Sequence, residues 1–377
     1  MAQPETLPVV QYAIQVRVDP EEKRLSGSET LVWRNTSSLA VAELWFHLYW
    51  NAFSNNRSTH LWEARGSLRG STFEDGWGWQ RLTALTVGGR DLLARVEFRS
   101  PDDGRLEDHT VLVVPLEAAV LPGESVEVAI DWEALIPRVR RRTGQKGDFL
   151  FMAQWFRKIG VLEEGRGWNC HQFHASTEFY ADYGTYDVTI DLPLEYAGKV
   201  GASGVQVGQP QTDPGTGRVK TRFLAPSPAD RERVDATGKR ALVHDFAWTA
   251  DPDYLVQQDT FYFADWARQY ASEVERMAKA LGTDVSAIRQ RDVRVSVLLQ
   301  PEHANQWQAH FDATCTALFF YGLWFGEYPY EQVTAVDPAW GGGAAGGMEY
   351  PTLFTCGTDL LTDPAMHTPE GVAVHEC

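Results

Sequence analysis

The sequence predicts a mainly β chain that turns, near its C-terminal end, into the beginning of an α+β segment. Three observations carry this. Apolar residues alternate with polar ones in run after run through the first two-thirds of the chain. Clusters of turn-forming residues separate those runs. From about residue 260 the apolar spacing changes from two to three or four, the period of a helix face.

The elements follow in order. Tyr12, Ile14, Val16 and Val18 alternate with Gln11, Ala13, Gln15 and Arg17, which predicts a half-buried strand. Leu31 and Trp33 continue the rule in the next run. Val126, Val128, Ile130 and Trp132 repeat it, as do Tyr186, Val188, Ile190 and Leu192. Gly27, Asn35 to Ser38, Pro101 to Gly104 and Pro122-Gly123 are read as the intervening turns. Many strands with few helical patterns predict a large sandwich or saddle-shaped sheet domain over residues 1–250. Gly198 to Gly217 reads as hairpins and loops. The character changes near Ala250 to Tyr254, and residues 251–377 form the second part. Residues 260–281 read as a helix with Trp266, Tyr270, Val274 and Met277 on one stripe. Val293, Val295, Val297 and Leu299 predict a strand. A longer helix carries Trp307, Phe311, Thr314, Leu318 and Tyr321 along one side, and Gln332 to Val336 predicts a further strand.

Composition narrows the function classes. The chain has 377 residues, 44% of them apolar, enough for sizeable cores. Its formal net charge of -17 argues against nucleic acid or an anionic membrane as the main partner. Cys170, Cys315, Cys356 and Cys377 are scattered without a C-x-x-C, so neither a disulfide framework nor a cysteine zinc site is expected. Met1 to Val10 lacks the charged-then-apolar pattern of a signal peptide, and no apolar run of about 18 residues predicts a membrane span. With Met1 as the true start, the expected location is cytoplasmic.

The last segment carries the chemistry. Gly346-Gly347-Met348-Glu349-Tyr350-Pro351 is followed at short range by Val372-Ala373-Val374-His375-Glu376-Cys377. His-Glu after an apolar run is the first half of His-Glu-x-x-His, in which histidines one helical turn apart point at one zinc ion. Thr368-Pro369-Glu370 reads as an N-cap, a proline at the first helical position and an acid in the first turn. The expectation is a metal-binding helix interrupted within its own motif after Cys377, in the front part of a longer protein.

With these residues the chain resembles the aminopeptidase N family of gluzincin peptidases, to which leukotriene hydrolase also belongs. Gly346-Gly347-Met348-Glu349-Tyr350 is similar to the family's G-x-M-E-N exopeptidase motif, and His375-Glu376 to the start of its zinc helix. Phe46-His47-Leu48-Tyr49-Trp50-Asn51-Ala52-Phe53, Gly184-Thr185-Tyr186-Asp187-Val188-Thr189 and Gln300-Pro301-Glu302-His303 look like bacterial members, so the resemblance spans nearly the whole chain. It implies a saddle-like N-terminal β domain followed by the truncated start of a thermolysin-like α+β catalytic domain. Two departures stand out. Tyr350 replaces the family's asparagine, and Ala153-Gln154-Trp155-Phe156 keeps a glutamine of the family without the glutamate that usually follows.

The resemblance implies roles. His375 would be a zinc ligand, and Glu376 the base that takes a proton from water and passes it to the leaving amine. Glu349 would hold the free α-ammonium of a peptide substrate by a charge-assisted hydrogen bond. Gly346, Gly347 and Met348 would let the peptide lie against the chain as an added strand, and Gln154 would assist substrate binding. The implied activity is a zinc-dependent aminopeptidase acting on peptides with a free N-terminus. The 377-residue chain by itself is expected to be inactive, with His375 its one zinc ligand in place. The rival readings are a bifunctional epoxide hydrolase of the leukotriene hydrolase kind and a catalytically dead relative serving as a binding scaffold. Two other features are read as structural. Arg138, Arg140, Arg141, Arg142 and Lys146 form a basic run expected to be a solvated loop. Gly204 to Gly217 lacks the Gly-Lys-Ser/Thr ending of a phosphate loop.

Overall fold

The computed structural model describes residues 7–64, 75–139, 141–234, 239–342, 345–358 and 369–377. The architecture is mainly β, with five sheets among the described residues. The largest has nine strands. Its middle pairs Val10–Asp19 antiparallel with Arg24–Arg34 and parallel with Gly184–Pro193, so that Ile14 lies opposite both Glu29 and Val188. The alternation read from the sequence is the alternation of burial: every second residue of Val10–Asp19 is buried, as in Gly184–Pro193. A strand with one apolar face can bury it only on another layer. Here Tyr12, Trp33, Trp132 and Tyr186 share one apolar core with Phe46, Leu150 and Trp248 from the smaller sheets and with Trp155 from a connecting loop. Each such side chain contributes about 1.5–3 kcal/mol when fully buried.

Gly27, read as a turn, lies inside the strand Arg24–Arg34. A Cβ there would come within 2.1 Å of the Gln15 carbonyl oxygen and 2.9 Å of the Trp132 ring. The glycine marks a close approach of neighbouring chains, which composition does not distinguish from a turn.

The five-stranded sheet runs in the order Leu255–Phe261, Val293–Leu299, Gln332–Val336, Leu353–Thr355, Met348–Tyr350. Val293–Leu299, Gln332–Val336 and Leu353–Thr355 are mutually parallel, and an antiparallel partner closes each side. Val293–Leu299 and Gln332–Val336 were legible as apolar runs because both are buried. Leu255–Phe261 is an edge strand of mixed burial whose sequence LVQQDTF shows little alternation, and it was not predicted. The helix expected over 260–281 accordingly begins later. It is two helices, Phe263–Gln269 and Ala271–Leu281, broken at Tyr270 (φ -112, ψ 40) and ended by Gly282 in the left-handed region. Trp266, Tyr270, Val274 and Met277 do pack on one core, shared with the long helix Trp307–Trp324. That helix supports the last one, Glu370–Glu376, through a hydrogen bond from the Tyr321 hydroxyl to the Val374 carbonyl at 3.0 Å. Pro369 occupies the N-cap of Glu370–Glu376, one position before the place predicted, without a side-chain cap bond; Thr368 lies outside the described residues. No helix of the described residues is long and apolar enough to cross a membrane.

Candidate active site

Met348–Tyr350 is the outermost strand of its sheet. It pairs on one side with Leu353–Thr355, Glu349 opposite Phe354. Its other side carries no strand among the described residues. Strand alternation sets the side chains. Tyr350 is buried against Phe151, with ring centroids 5.6 Å apart, and Met348 packs beside it. Glu349 is exposed. Gly347, at φ +65, makes the turn into the strand, and its N–H donates to the Thr355 carbonyl at 3.0 Å.

The helix Glu370–Glu376 brings Glu376 to this edge. A Cβ on Gly347 would lie 3.5 Å from Glu376 Oε1, and the carboxyl groups of Glu376 and Glu349 are within hydrogen-bonding reach of each other. Burial and the neighbouring Glu349 both push the Glu376 carboxyl above its ordinary range, while His375 and Arg142 pull against this. Two carboxylates so close do not both ionise freely. His375 is exposed at the end of the same helix.

The basic run is a solvated loop only in part: Arg138 and Lys146 are exposed, whereas Arg141 and Arg142 are not. Arg138 is exposed and pairs with Asp75, and Arg140 lies outside the described residues. The side chains of Arg141 and Arg142 are only 13% and 16% exposed, and both reach the Glu178 carboxylate at 3.0 Å. Arg142 Nη1 donates to the Gly346 carbonyl at 2.9 Å and also to the Gly347 carbonyl, while the Tyr350 hydroxyl donates back to the Arg142 carbonyl at 3.4 Å. Burial of Arg141 and Arg142 follows from partners distant in sequence, which charge patterning does not reveal.

Gln154 sits deeper. It is buried, in the left-handed region at φ 55. Its Oε1 accepts from Lys158 Nζ at 2.7 Å and its Nε2 donates to Asp245. Lys158 and Asp245 form a buried ion pair at 2.8 Å. His244, next in sequence, is pushed down by burial and lies within electrostatic reach of Glu349. The structure therefore brings Gly346, Gly347, Met348, Glu349 and Glu376 together, sets His375 beside them, and places Gln154 in a polar network whose amide ends are already engaged. Arg142, Glu178, Lys158 and Asp245 were missed; no local motif marks them.

Among the described residues no three His, Cys, Asp or Glu side chains are grouped so as to hold a metal ion. A catalytic zinc takes three protein ligands and keeps a fourth position open. His375 is one donor, and the carboxyls of Glu349 and Glu376 lie near each other. The described residues do not complete a zinc site.

No protein-family model and no curated protein matches the sequence. Solved structures do. The M1 zinc metallopeptidase from Deinococcus radiodurans matches with a TM-score of 0.52 and 15% identity, over 99% of this chain and 63% of that one. A mutant of the Deinococcus radiodurans enzyme bound to a Tyr-Ser-Ala substrate matches with a TM-score of 0.50 and 15% identity, over 100% and 64%. The chain thus spans less than two-thirds of the length of these M1 zinc metallopeptidases, and at this identity the likeness establishes a shared fold.

Proposed function

We propose that the protein is a zinc-dependent aminopeptidase that removes N-terminal residues from peptides. Residues 1–250 are its saddle-like β domain and residues 251–377 the first part of a thermolysin-like catalytic domain. The observation that carries the reading is the placement of one exposed acid, Glu349, on an open strand edge, directly facing the Glu376 carboxyl of the neighbouring helix. An extended peptide adds to the free edge of Met348–Tyr350 through its backbone. Its α-ammonium lodges on Glu349, and the charge-assisted bond fixes the first peptide bond in the chain at the site. Glu376, once the ammonium satisfies Glu349, is free to accept a proton from water and return it to the leaving amine. His375, exposed beside them, is the one residue of this group that would serve as a zinc ligand. The solved neighbours support this reading, since they are zinc metallopeptidases, one with a tripeptide substrate bound.

The test is a comparison of aminoacyl p-nitroanilides with their N-acetylated forms on the full-length protein. Turnover of the free amines alone is the expected result. Equal turnover of both would remove the exopeptidase role of Glu349, and turnover of neither would remove the peptidase.

A further inference from the structure

The Arg142 guanidinium has an unusual set of partners. It holds the carbonyl oxygens of two consecutive residues, Gly346 and Gly347, and the carboxylate of Glu178. Its side chain is largely buried, and it lies within electrostatic reach of Glu376. Its own backbone is in the left-handed region, φ 66, where an ordinary side chain pays a steric penalty. Strain of that kind persists only where surrounding contacts impose it. Those contacts here are the fork to two carbonyls, the carboxylate, and the return bond from Tyr350. A planar guanidinium satisfies such a fork; a lysine ammonium, a single point donor, does not.

We infer that Arg142 is a positioning residue of this site: by pinning the Gly346 and Gly347 carbonyls it sets where the Met348–Tyr350 edge and Glu349 stand relative to Glu376. The inference rests on the aminopeptidase reading. Without the clamp the Gly346 and Gly347 carbonyls lose their side-chain anchor, and Gly347 keeps its N–H bond to the Thr355 carbonyl while holding a backbone conformation few other residues share. A shift of these carbonyls displaces Glu349, and the bound ammonium with it, away from the base. Glu178 completes the device by fixing the guanidinium from its far side, with Arg141 as a second cation on the same carboxylate.

The experiment uses the full-length protein and an aminoacyl p-nitroanilide. R142A should lower kcat about 100-fold while KM moves less than about threefold, because the ammonium still finds Glu349 but in the wrong place. R142K should recover only part of the loss. Added guanidinium ion should restore R142A by at least about fivefold, a response that general loosening of the fold would not give. A loss that guanidinium does not relieve, or an R142A within about twofold of wild type, overturns the inference. Should R142A fail to fold, Glu178→Gln is the second variant: a loss in kcat at constant KM supports the clamp, and unchanged kinetics overturn it. If wild type cleaves no anilide, the aminopeptidase reading fails by itself. Amide exchange at Gly346 to Tyr350 then decides the clamp, faster exchange in R142A keeping it and unchanged exchange removing it.

Discussion

The carboxyl groups of Glu349 and Glu376 face each other within hydrogen-bonding reach, one from a strand edge and one from a helix. Like charges so placed repel unless a proton or a cation stands between them. A substrate ammonium is such a cation. In the proposed function the pair receives that one positive charge, and binding on Glu349 releases Glu376 for proton transfer. Neither carboxyl explains the arrangement alone: an edge acid needs no partner, and a helix acid gains nothing from another acid.

Glu349→Ala removes the receptor and leaves the base. In the full-length protein, kcat/KM for aminoacyl anilides should fall at least about tenfold, the loss of a hydrogen bond to a charged group worth about 1.5 kcal/mol or more. Steady-state kinetics on free and N-acetylated substrates check this. A variant with wild-type kcat/KM would mean that the ammonium is held elsewhere.

How far the sequence disclosed this molecule depends on the range of the interactions. Tyr12, Ile14, Val16 and Val18 announced their strand because burial of one face imposes a period of two on the sequence itself. Gln332 to Val336 was legible down to its end residues, since full burial makes a short apolar run. Leu255–Phe261 was not, because an edge strand is under no such demand. In the site, Glu349 and Glu376 stood out by motif, and the fold sets them face to face. Arg142 did not stand out. What makes it more than a surface arginine is its grip on Gly346 and Gly347, about 200 residues away, and no local pattern encodes that.

Acid should destabilise the fold through its buried histidines. Burial pushes His47 down to about 3 and both His60 and His310 down to about 4. Their unfolded values lie near 6.5. A base depressed in the fold contributes stability above its unfolded pKa and loses it as pH falls toward the folded one. At pH 5 each of the three costs up to about 2 kcal/mol. His174 works the other way: burial lowers it, but hydrogen bonds to Glu63 and Asp102 raise it on balance, so it stabilises on the acid side. Glu29, raised by burial to about 8, and Asp182, raised by burial to about 6, also gain stability as pH falls from 7 to 5, so the imidazole effect is read by comparing variants. Urea unfolding at pH 7 and pH 5 should show His47→Phe, which keeps a ring to stack on Tyr49, losing about 2 kcal/mol less than wild type between the two. Identical pH dependence in the two proteins would contradict the depressed titration of His47.

The buried pair Lys158–Asp245 should matter more to stability than any surface ion pair. Both side chains are at most 5% exposed, at 2.8 Å, and Gln154 bonds each of them. Lys158→Met strands Asp245 in the interior, at a cost of about 3–5 kcal/mol. Removing both charges together, Lys158→Met with Asp245→Leu, should cost less than the sum of the single changes. Guanidinium chloride unfolding of the two single variants and the double variant measures the coupling. Strict additivity would show that the pair is not coupled in the fold.

Gly347→Ala separates backbone strain from chemistry. Gly347 stands at φ +65, where an alanine costs about 1–2 kcal/mol. Its new Cβ would lie 3.5 Å from Glu376 Oε1, an ordinary contact rather than a clash. Stability should therefore fall modestly. Activity should fall further, by more than about tenfold, because a residue that relaxes away from φ +65 also pulls its carbonyl off Arg142 and carries Glu349 with it. Gly341→Ala is the control. It faces the same backbone penalty at φ +77, but its Cβ would meet the Lys146 side chain at 3.2 Å, which can move aside, and not Glu376. The two variants should lose similar amounts of stability by thermal unfolding and differ at least about fivefold in kcat/KM. Equal kinetics for the two would show that the glycine segment supplies flexibility in general, and that the placement of Gly347 beside Glu376 has no part in the reaction.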